Sequence, residues 1–470
     1  MLTRLAVRGF KNLADVEIRF GPLTCITGPN GAGKSNLFEA IALLAALAEQ
    51  PLAEAALTAC RGRVHGEGVD ALFFRRGADI ATKICFEADM IIPIRGTDAL
   101  GQEAEASMTL LRYQLELGRL AASAERPGGG LRVLREDLTA LHRNSARRSL
   151  GFPHKRAWRE SVVLGQRRHP YLSTAEEGGR LAITLHQDSG ARTTTLPADR
   201  LPCTVLSAAR SAFAHPTLLL ARQEMASWRH LRLEPSALAA PDRTDTPPGL
   251  GADGAHLAAT LHHLARCHGG AALWSRLAAR LDALLGGVRS FEVIADPLRG
   301  HLDMLLTDTR GTPHYGRALS DGTLRYLALA ALEVDPYAGG LVCLEEPAAG
   351  IHPQGVPALL CLLRALATDP RRPLSADNPL RQVILATCAP TLLAGLPDDD
   401  VLLARNLDGA SFAWRAGSWR DEGAEGDPCA IPAEAWDELF GRRPADGVRA
   451  RRERVEDASP LKQVSLFPGS

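Results

Sequence analysis

Alternating apolar and polar residues open the chain. Leu5-Ala-Val-Arg-Gly-Phe10 and Ala14-Asp-Val-Glu-Ile-Arg-Phe20 predict two strands joined by a polar turn at Lys11-Asn12. Leu23-Thr-Cys-Ile-Thr27 is short and mostly apolar, the pattern of a strand buried on both faces. Beyond a glycine-rich stretch, Leu37, Ile41, Leu44 and Leu47 recur at helical spacing, which predicts a helix from Lys34 to Ala48. Strands are expected at Ile80 to Phe86 and Met108 to Leu117. Helices are expected at Gly254 to Cys267 and Trp274 to Leu285, then strands at Phe291 to Ile294 and His301 to Thr307. A helix follows Ser320 and runs to about Leu332, and Leu341-Val-Cys-Leu344 and Gln382-Val-Ile-Leu-Ala-Thr387 are further buried strands. The ends of the chain read as α/β and the middle as mixed, with no sustained heptads and no internal repeat.

Composition narrows the class. At ~100–200 residues per domain, 470 residues make two or three domains, or one large domain with insertions. The chain is 46% hydrophobic and carries 54 Lys+Arg against 54 Asp+Glu. That excludes disorder as the main state and excludes a uniformly basic nucleic-acid coat. The nine Cys form no C-x-x-C pair, and Cys25, Cys85 and Cys343 lie in strand-like runs. They are expected to be buried thiols of a reducing, cytoplasmic protein. No signal sequence is read at Met1, and the most apolar stretch, Ile41 to Cys60, is broken by Glu49, Pro51 and Glu54, so no membrane contact is expected. Positive charge is concentrated locally. Arg143 to Arg168 (the basic segment 143–168) holds eight Lys/Arg against the single acid Glu160. It is either a solvated insertion or a contact site for a nucleic-acid backbone.

Three motifs carry chemistry. Gly28-Pro-Asn-Gly-Ala-Gly33-Lys34-Ser35 fits G-x-x-x-x-G-K-[ST], between a buried strand and a helix. Glycines let successive backbone N–H groups curl around a phosphate, and the helix N-terminus adds more donors and a positive dipole end. Lys34 is suited to the β- and γ-phosphates and Ser35 to Mg²⁺. Leu341-Val-Cys-Leu-Glu345-Glu346 ends a buried strand on two carboxylates, expected beside the phosphate loop if the two strands are neighbours. Glu345 would then hold Mg²⁺ and Glu346 would act as the catalytic base on water. Ser320-Asp-Gly322 opens a helix, with Ser320 an N-cap and Gly322 part of a second anion site or of an ordinary cap.

In this order the motifs resemble ABC-type ATPases, in particular the RecF and structural-maintenance-of-chromosomes (SMC) group and the related bacterial AAA "predicted ATPases". The resemblance rests on Leu5-x-Val-x-Gly-Phe10-Lys-Asn-Leu13, on Gly28 to Asn36, and on Leu319-Ser-Asp-Gly-Thr-Leu-Arg-Tyr-Leu327. Cys343-Leu-Glu-Glu-Pro347 and Gly350-Ile-His-Pro353 complete it, and Trp228 to Leu233 and Leu250 to Leu264 are similar to the same group. It implies an α/β P-loop NTPase fold of ABC/RecF/SMC type, a mixed sheet flanked by helices with an inserted α+β lid subdomain and no long coiled coil. The head would comprise residues 1–90 and 285–445, the insertion 91–284 and a flexible tail 446–470. The implied cofactors are ATP and Mg²⁺, cradled by Asn30, Gly31, Ala32, Gly33, Lys34, Ser35 and Asn36. Hydrolysis would take place in a homodimer, with Ser320 and Gly322 facing the partner's phosphate loop. The implied role is DNA repair or genome maintenance, with DNA met by the basic segment. An alternative is an ATPase subunit that gates a separate effector in an anti-phage system.

The sequence departs from that group in places. Its second carboxylate motif reads Glu345-Glu-Pro-Ala348-Ala349, where the group has Glu-Glu-Pro-Glu-Asn. Thr387-Cys388-Ala389-Pro390 stands where the group has Thr-His-Ser-Pro. A thiol is a poor donor and carries no positive charge, so turnover is expected to be slow, or absent in a nucleotide-binding scaffold. The glutamine by which that group senses Mg²⁺ is not placed by the sequence, and His352, next to the expected dimer seam, could partly substitute for it. In the tail, Gln463-Val-Ser-Leu-Phe467 resembles the bacterial sliding-clamp-binding pentapeptide, which competes with a tail that packs on its own domain.

Overall fold

A computed structural model describes residues 1–60, 68–121, 128–142, 146–188, 193–336, 338–406 and 410–414. Leu2–Phe10 pairs antiparallel with Leu13–Arg19, with Phe10 opposite Leu13, so Lys11 and Asn12 alone make the turn. Lys11 takes φ +47°, the left-handed conformation that a two-residue hairpin needs. The other edge of Leu2–Phe10 pairs with Lys83–Ile91. The sheet then continues through Leu110–Leu120, Gly130–Ala140, Leu172–Glu177, Arg180–His186 and Thr193–Pro197, eight strands in all. The middle of the chain therefore extends a sheet that its first residues begin. In Gly130–Ala140 the pairing register shifts between Val133 and Arg135. Such a shift moves later side chains to the opposite face, so the strand shows no simple alternation in the sequence.

The second sheet has six strands in the order Arg229–Leu231, Gly340–Glu345, Arg381–Ala386, Leu23–Thr27, Val401–Asn406, Ala410–Trp414. The first five are parallel and the last is antiparallel. Successive residues face two different cores. Ile384 and Ala386 enter the core shared with the helix Lys34–Leu47 and the eight-stranded sheet, whereas Val383 and Leu385 enter the core around the helix Asp321–Val334. Burial on both sides is why these strands read as continuous apolar runs. Gly340–Glu345 is not the immediate neighbour of Leu23–Thr27: Arg381–Ala386, buried at every residue, lies between them. Parallel strands need crossover connections, which frees their order in the sheet from their order in the chain. The carboxylates still end at the same edge as the phosphate loop, because Glu345 pairs with Ala386 and Ala386 with Ile26.

Gln382 joins the two sheets. Its amide nitrogen donates to Leu2 O at 2.7 Å and Gly21 O at 2.9 Å, and its oxygen accepts from Leu2 N at 2.8 Å. The side chain is almost wholly buried, so none of these groups has water as an alternative. Gln382→Leu leaves them unsatisfied and is expected to lower the unfolding free energy by about 2–4 kcal/mol, read from the urea midpoint at unchanged slope.

Candidate nucleotide-binding site

The loop after Leu23–Thr27 is shaped by its glycines. Gly28 has φ +149°, and a Cβ there would sit 2.3 Å from Ala404 O, so the residue must lack a side chain. Gly31 and Gly33 have φ +80° and +96°, and Gly33 is the N-cap of Lys34–Leu47. No side chain caps that helix and no acid lies in its first turn, which leaves its N-terminal N–H groups for an anion. Lys34 Nζ donates to Gly28 O at 2.5 Å and Pro29 O at 3.0 Å, and among the described residues it has no carboxylate partner. The loop is tied from outside. Asn12 and Asn406 donate to Gly31 O at 3.3 and 3.1 Å, and Asn36 donates to Asn12 at 2.7 Å.

An open cleft of about 240 Å³ lies along this loop, lined by Asn30, Gly31, Gly33, Lys34, Ser35, Asn36, Glu345, Glu346 and Ala386. Ala32 is buried beneath it. Glu345 Oε1 accepts from His230 Nε2 at 3.0 Å and from an Arg232 nitrogen at 3.4 Å. The His230 hydrogen bond foremost, then the Arg232 charge, hold the Glu345 carboxyl down to about 2 although burial opposes them, and the Ser35 hydroxyl adds to this. Glu346 takes φ +44°, which costs a residue with a side chain about 1–2 kcal/mol. Its carboxylate accepts from Thr387 Oγ1 at 2.8 Å and Cys388 N at 3.0 Å. Cys388 Sγ in turn donates to Gly28 O at 3.3 Å, the carbonyl that Lys34 also uses. A strained residue held by several neighbours is common where chemistry is done.

Ser320 and Gly322 do not line the cleft. Ser320 is exposed, and its oxygen accepts from Thr323 N at 3.3 Å, capping its own helix. A Cβ on Gly322 would lie 2.2 Å from Gly350 O, so this glycine lets the helix start touch the turn that follows the two carboxylates. Arg325 braces the same contact by donating to Ala349 O and Leu233 O. His352 Nδ1 accepts from Gln354 N and caps a short turn. The sequence reading missed His230 and Arg232. They belong to a three-residue edge strand and its exit, too short and too charged for a periodic signal. The clamp-like Gln463–Phe467 lies outside the described residues, as do Arg143 and the tail 446–470.

The donor set fits Mg²⁺ with a nucleoside triphosphate. Backbone N–H groups and an ammonium with no carboxylate partner among the described residues suit phosphates, and an ionised carboxylate with a neighbouring hydroxyl suits a hard cation. Among the described residues no cluster of three or more His, Cys, Asp or Glu could hold a metal by itself, so Ser35 and Glu345 would share it with phosphate and water. The parallel strands, the phosphate loop and the paired carboxylates at their ends are the parts of a P-loop nucleotide-binding domain. The chain belongs to the family described as AAA domain, putative AbiEii toxin, Type IV TA system, whose pattern it matches over residues 23–394. It is similar to the DNA replication and repair protein RecF of Magnetococcus marinus, 64% identical over 45 residues, 9% of this chain and 12% of RecF. It is also similar to the OLD nuclease of Thermus scotoductus, 52% identical over 44 residues, 9% of this chain and 8% of that one. The match thus spans about a tenth of each of these relatives. Among solved structures, an Smc head bound to the C-winged helix domain of ScpA superposes with a TM-score of 0.45 at 14% identity, covering 88% of this chain and 97% of that one. No helix among the described residues is long and apolar enough to cross a membrane.

The low Glu345 pKa has a consequence for stability. A carboxyl held below its ordinary value of 4.5 favours the folded state fully above that pH and loses the contribution as pH falls toward about 2. The difference in unfolding free energy between the wild type and Glu345→Gln should be flat above about pH 5 and shrink below pH 4.5, as measured by urea unfolding across pH.

Proposed function

We propose that the protein binds ATP with Mg²⁺ in this cleft, hydrolyses it slowly, and pairs with a second copy while ATP is bound. The observation that carries the reading is the meeting of Lys34, Ser35, Glu345 and Glu346 in one cleft at the strand ends. Lys34 and the loop N–H groups bind the β- and γ-phosphates. Ser35 and Glu345 hold the metal, which when bound neutralises phosphate charge. Glu346 takes the proton of the attacking water once it leaves Thr387 and Cys388. Cys388 supplies no positive charge where the group that the motifs resemble has His, and this favours slow turnover. Ser320 is exposed outside the cleft, which supports its use by a second copy, with the buried Gly322 shaping the helix start that presents it.

The proposal extends to DNA. Arg147, Arg148, Lys155, Arg156 and Arg168 of the basic segment are exposed, and such residues bind phosphate backbones by releasing counterions. Binding of a sliding clamp through Gln463–Phe467 is a further part of the proposal and rests on the sequence alone. Work in DNA repair or genome maintenance follows from these contacts. A second reading, a subunit that gates a separate effector in anti-phage defence, is favoured by the family's description as a putative toxin.

Glu346→Gln is expected to slow ATP turnover by about 100-fold or more while nucleotide binding persists, and to trap an ATP-dependent dimer in light scattering. An unchanged rate, or wild-type protein that binds no nucleotide, defeats the reading. Turnover should rise with added DNA at low salt and lose that rise at high salt. DNA-independent turnover at both salts favours the effector-gating reading.

A further inference from the structure

His230 lies on the strand Arg229–Leu231, which runs parallel to Gly340–Glu345 with His230 opposite Cys343. That register sets its imidazole two residues short of the strand end, on a course to Glu345. The ring is largely buried, with the edge of Phe38 packed against it at 5.4 Å between centroids and 68° between planes. Phe38 belongs to the phosphate-loop helix, so the ring is wedged between that helix and the acidic strand. Nε2, carrying the proton, meets Glu345 Oε1 at 3.0 Å. Arg232, just past the strand, reaches the same oxygen at 3.4 Å and Glu39 Oε1 at 3.1 Å. Lys11 holds the other oxygen of Glu39 at 2.5 Å. The two basic donors to Glu345, His230 and Arg232, both take Oε1, so neither occupies Oε2, and the Ser35 hydroxyl that would share the metal lies beside the same carboxylate.

A glutamate side chain has three rotatable bonds, and a metal ligand that must first be frozen binds its cation less tightly. From this geometry we infer that His230 is a positioning residue: it pins one oxygen of Glu345 so that the other is set for Mg²⁺. This inference rests on the cleft being a Mg²⁺–ATP site. Partners that orient a metal ligand typically change metal affinity by about 10–100-fold when removed. His230 differs from the Lys34 loop in what it acts on. It bears on the metal and not on the phosphates, so its loss should alter the metal dependence of nucleotide binding and leave metal-free binding alone.

The test uses the full chain and a fluorescent N-methylanthraniloyl-ATP, titrated in Mg²⁺ and in EDTA. Wild type should bind more tightly in Mg²⁺. His230→Leu should lose about 10–100-fold of that Mg²⁺-dependent gain, with the affinity in EDTA unchanged within about twofold. His230→Gln, whose amide N–H can donate to the same oxygen, should restore most of it, and melting temperatures show whether each variant is folded. Equal wild-type affinity in Mg²⁺ and EDTA removes the reading of the cleft itself. A wild-type gain that His230→Leu keeps in full overturns the role of His230 alone. Equal weakening in Mg²⁺ and EDTA, or no rescue by His230→Gln in a folded variant, also overturns it, since the residue would then serve only the fold.

Discussion

Backbone pairing of one central strand, Arg381–Ala386, brings the two halves of the cleft to one sheet edge. Six residue pairs bind it to Gly340–Glu345 and four bind it to Leu23–Thr27, all in parallel register. The two carboxylates and the phosphate loop never touch through this strand's side chains, yet their spacing is set by its width in the sheet. Parallel strands end with their carboxyl termini on one edge, and a crevice there is where open α/β sheets bind ligands. Gln382 then fixes the same strand to the N-terminal strand of the other sheet, so the site and the larger sheet share one anchor.

The site is built from opposing charges at short range. Lys11, Glu39, Arg232, Glu345 and His230 form an unbroken run of contacts from the first hairpin turn to the acidic strand. One end of that run is the turn whose Asn12 also ties down the phosphate loop at Gly31. Behind the cleft, Thr387 and Cys388 hold Glu346, and Cys388 also reaches Gly28 O. Hydrogen bonds thus support the cleft on both sides, and Lys34 and Glu346 must exchange some of theirs when a nucleotide enters.

The parts that were legible in the sequence are those under a strong local rule. The phosphate loop is legible because Gly28, Gly31 and Gly33 adopt backbone angles that favour glycine. The acidic strand and Gln382 to Thr387 are legible because burial on two faces demands an unbroken apolar run. The helix after Ser320 is marked by its own cap. Other features follow from tertiary contact, and no local pattern assigns them a role. The order of the parallel strands, which puts Arg381–Ala386 between the two motifs, depends on crossovers. Gly130–Ala140 hides behind a register shift. His230 and Arg232 acquire their partner only when an edge strand docks beside Glu345.

The contact of Gly322 with Gly350 has a mechanical meaning. No methyl group fits between the helix start and the turn behind Glu346, and Arg325 clamps the pair from the side. Two backbones pressed so closely slide past each other poorly, so they travel as one body. A displacement of the exposed end of that helix would meet the turn after the carboxylates directly, with no side-chain layer between them. The exposed Ser320 and the cleft's acidic wall are thus joined through main chain alone.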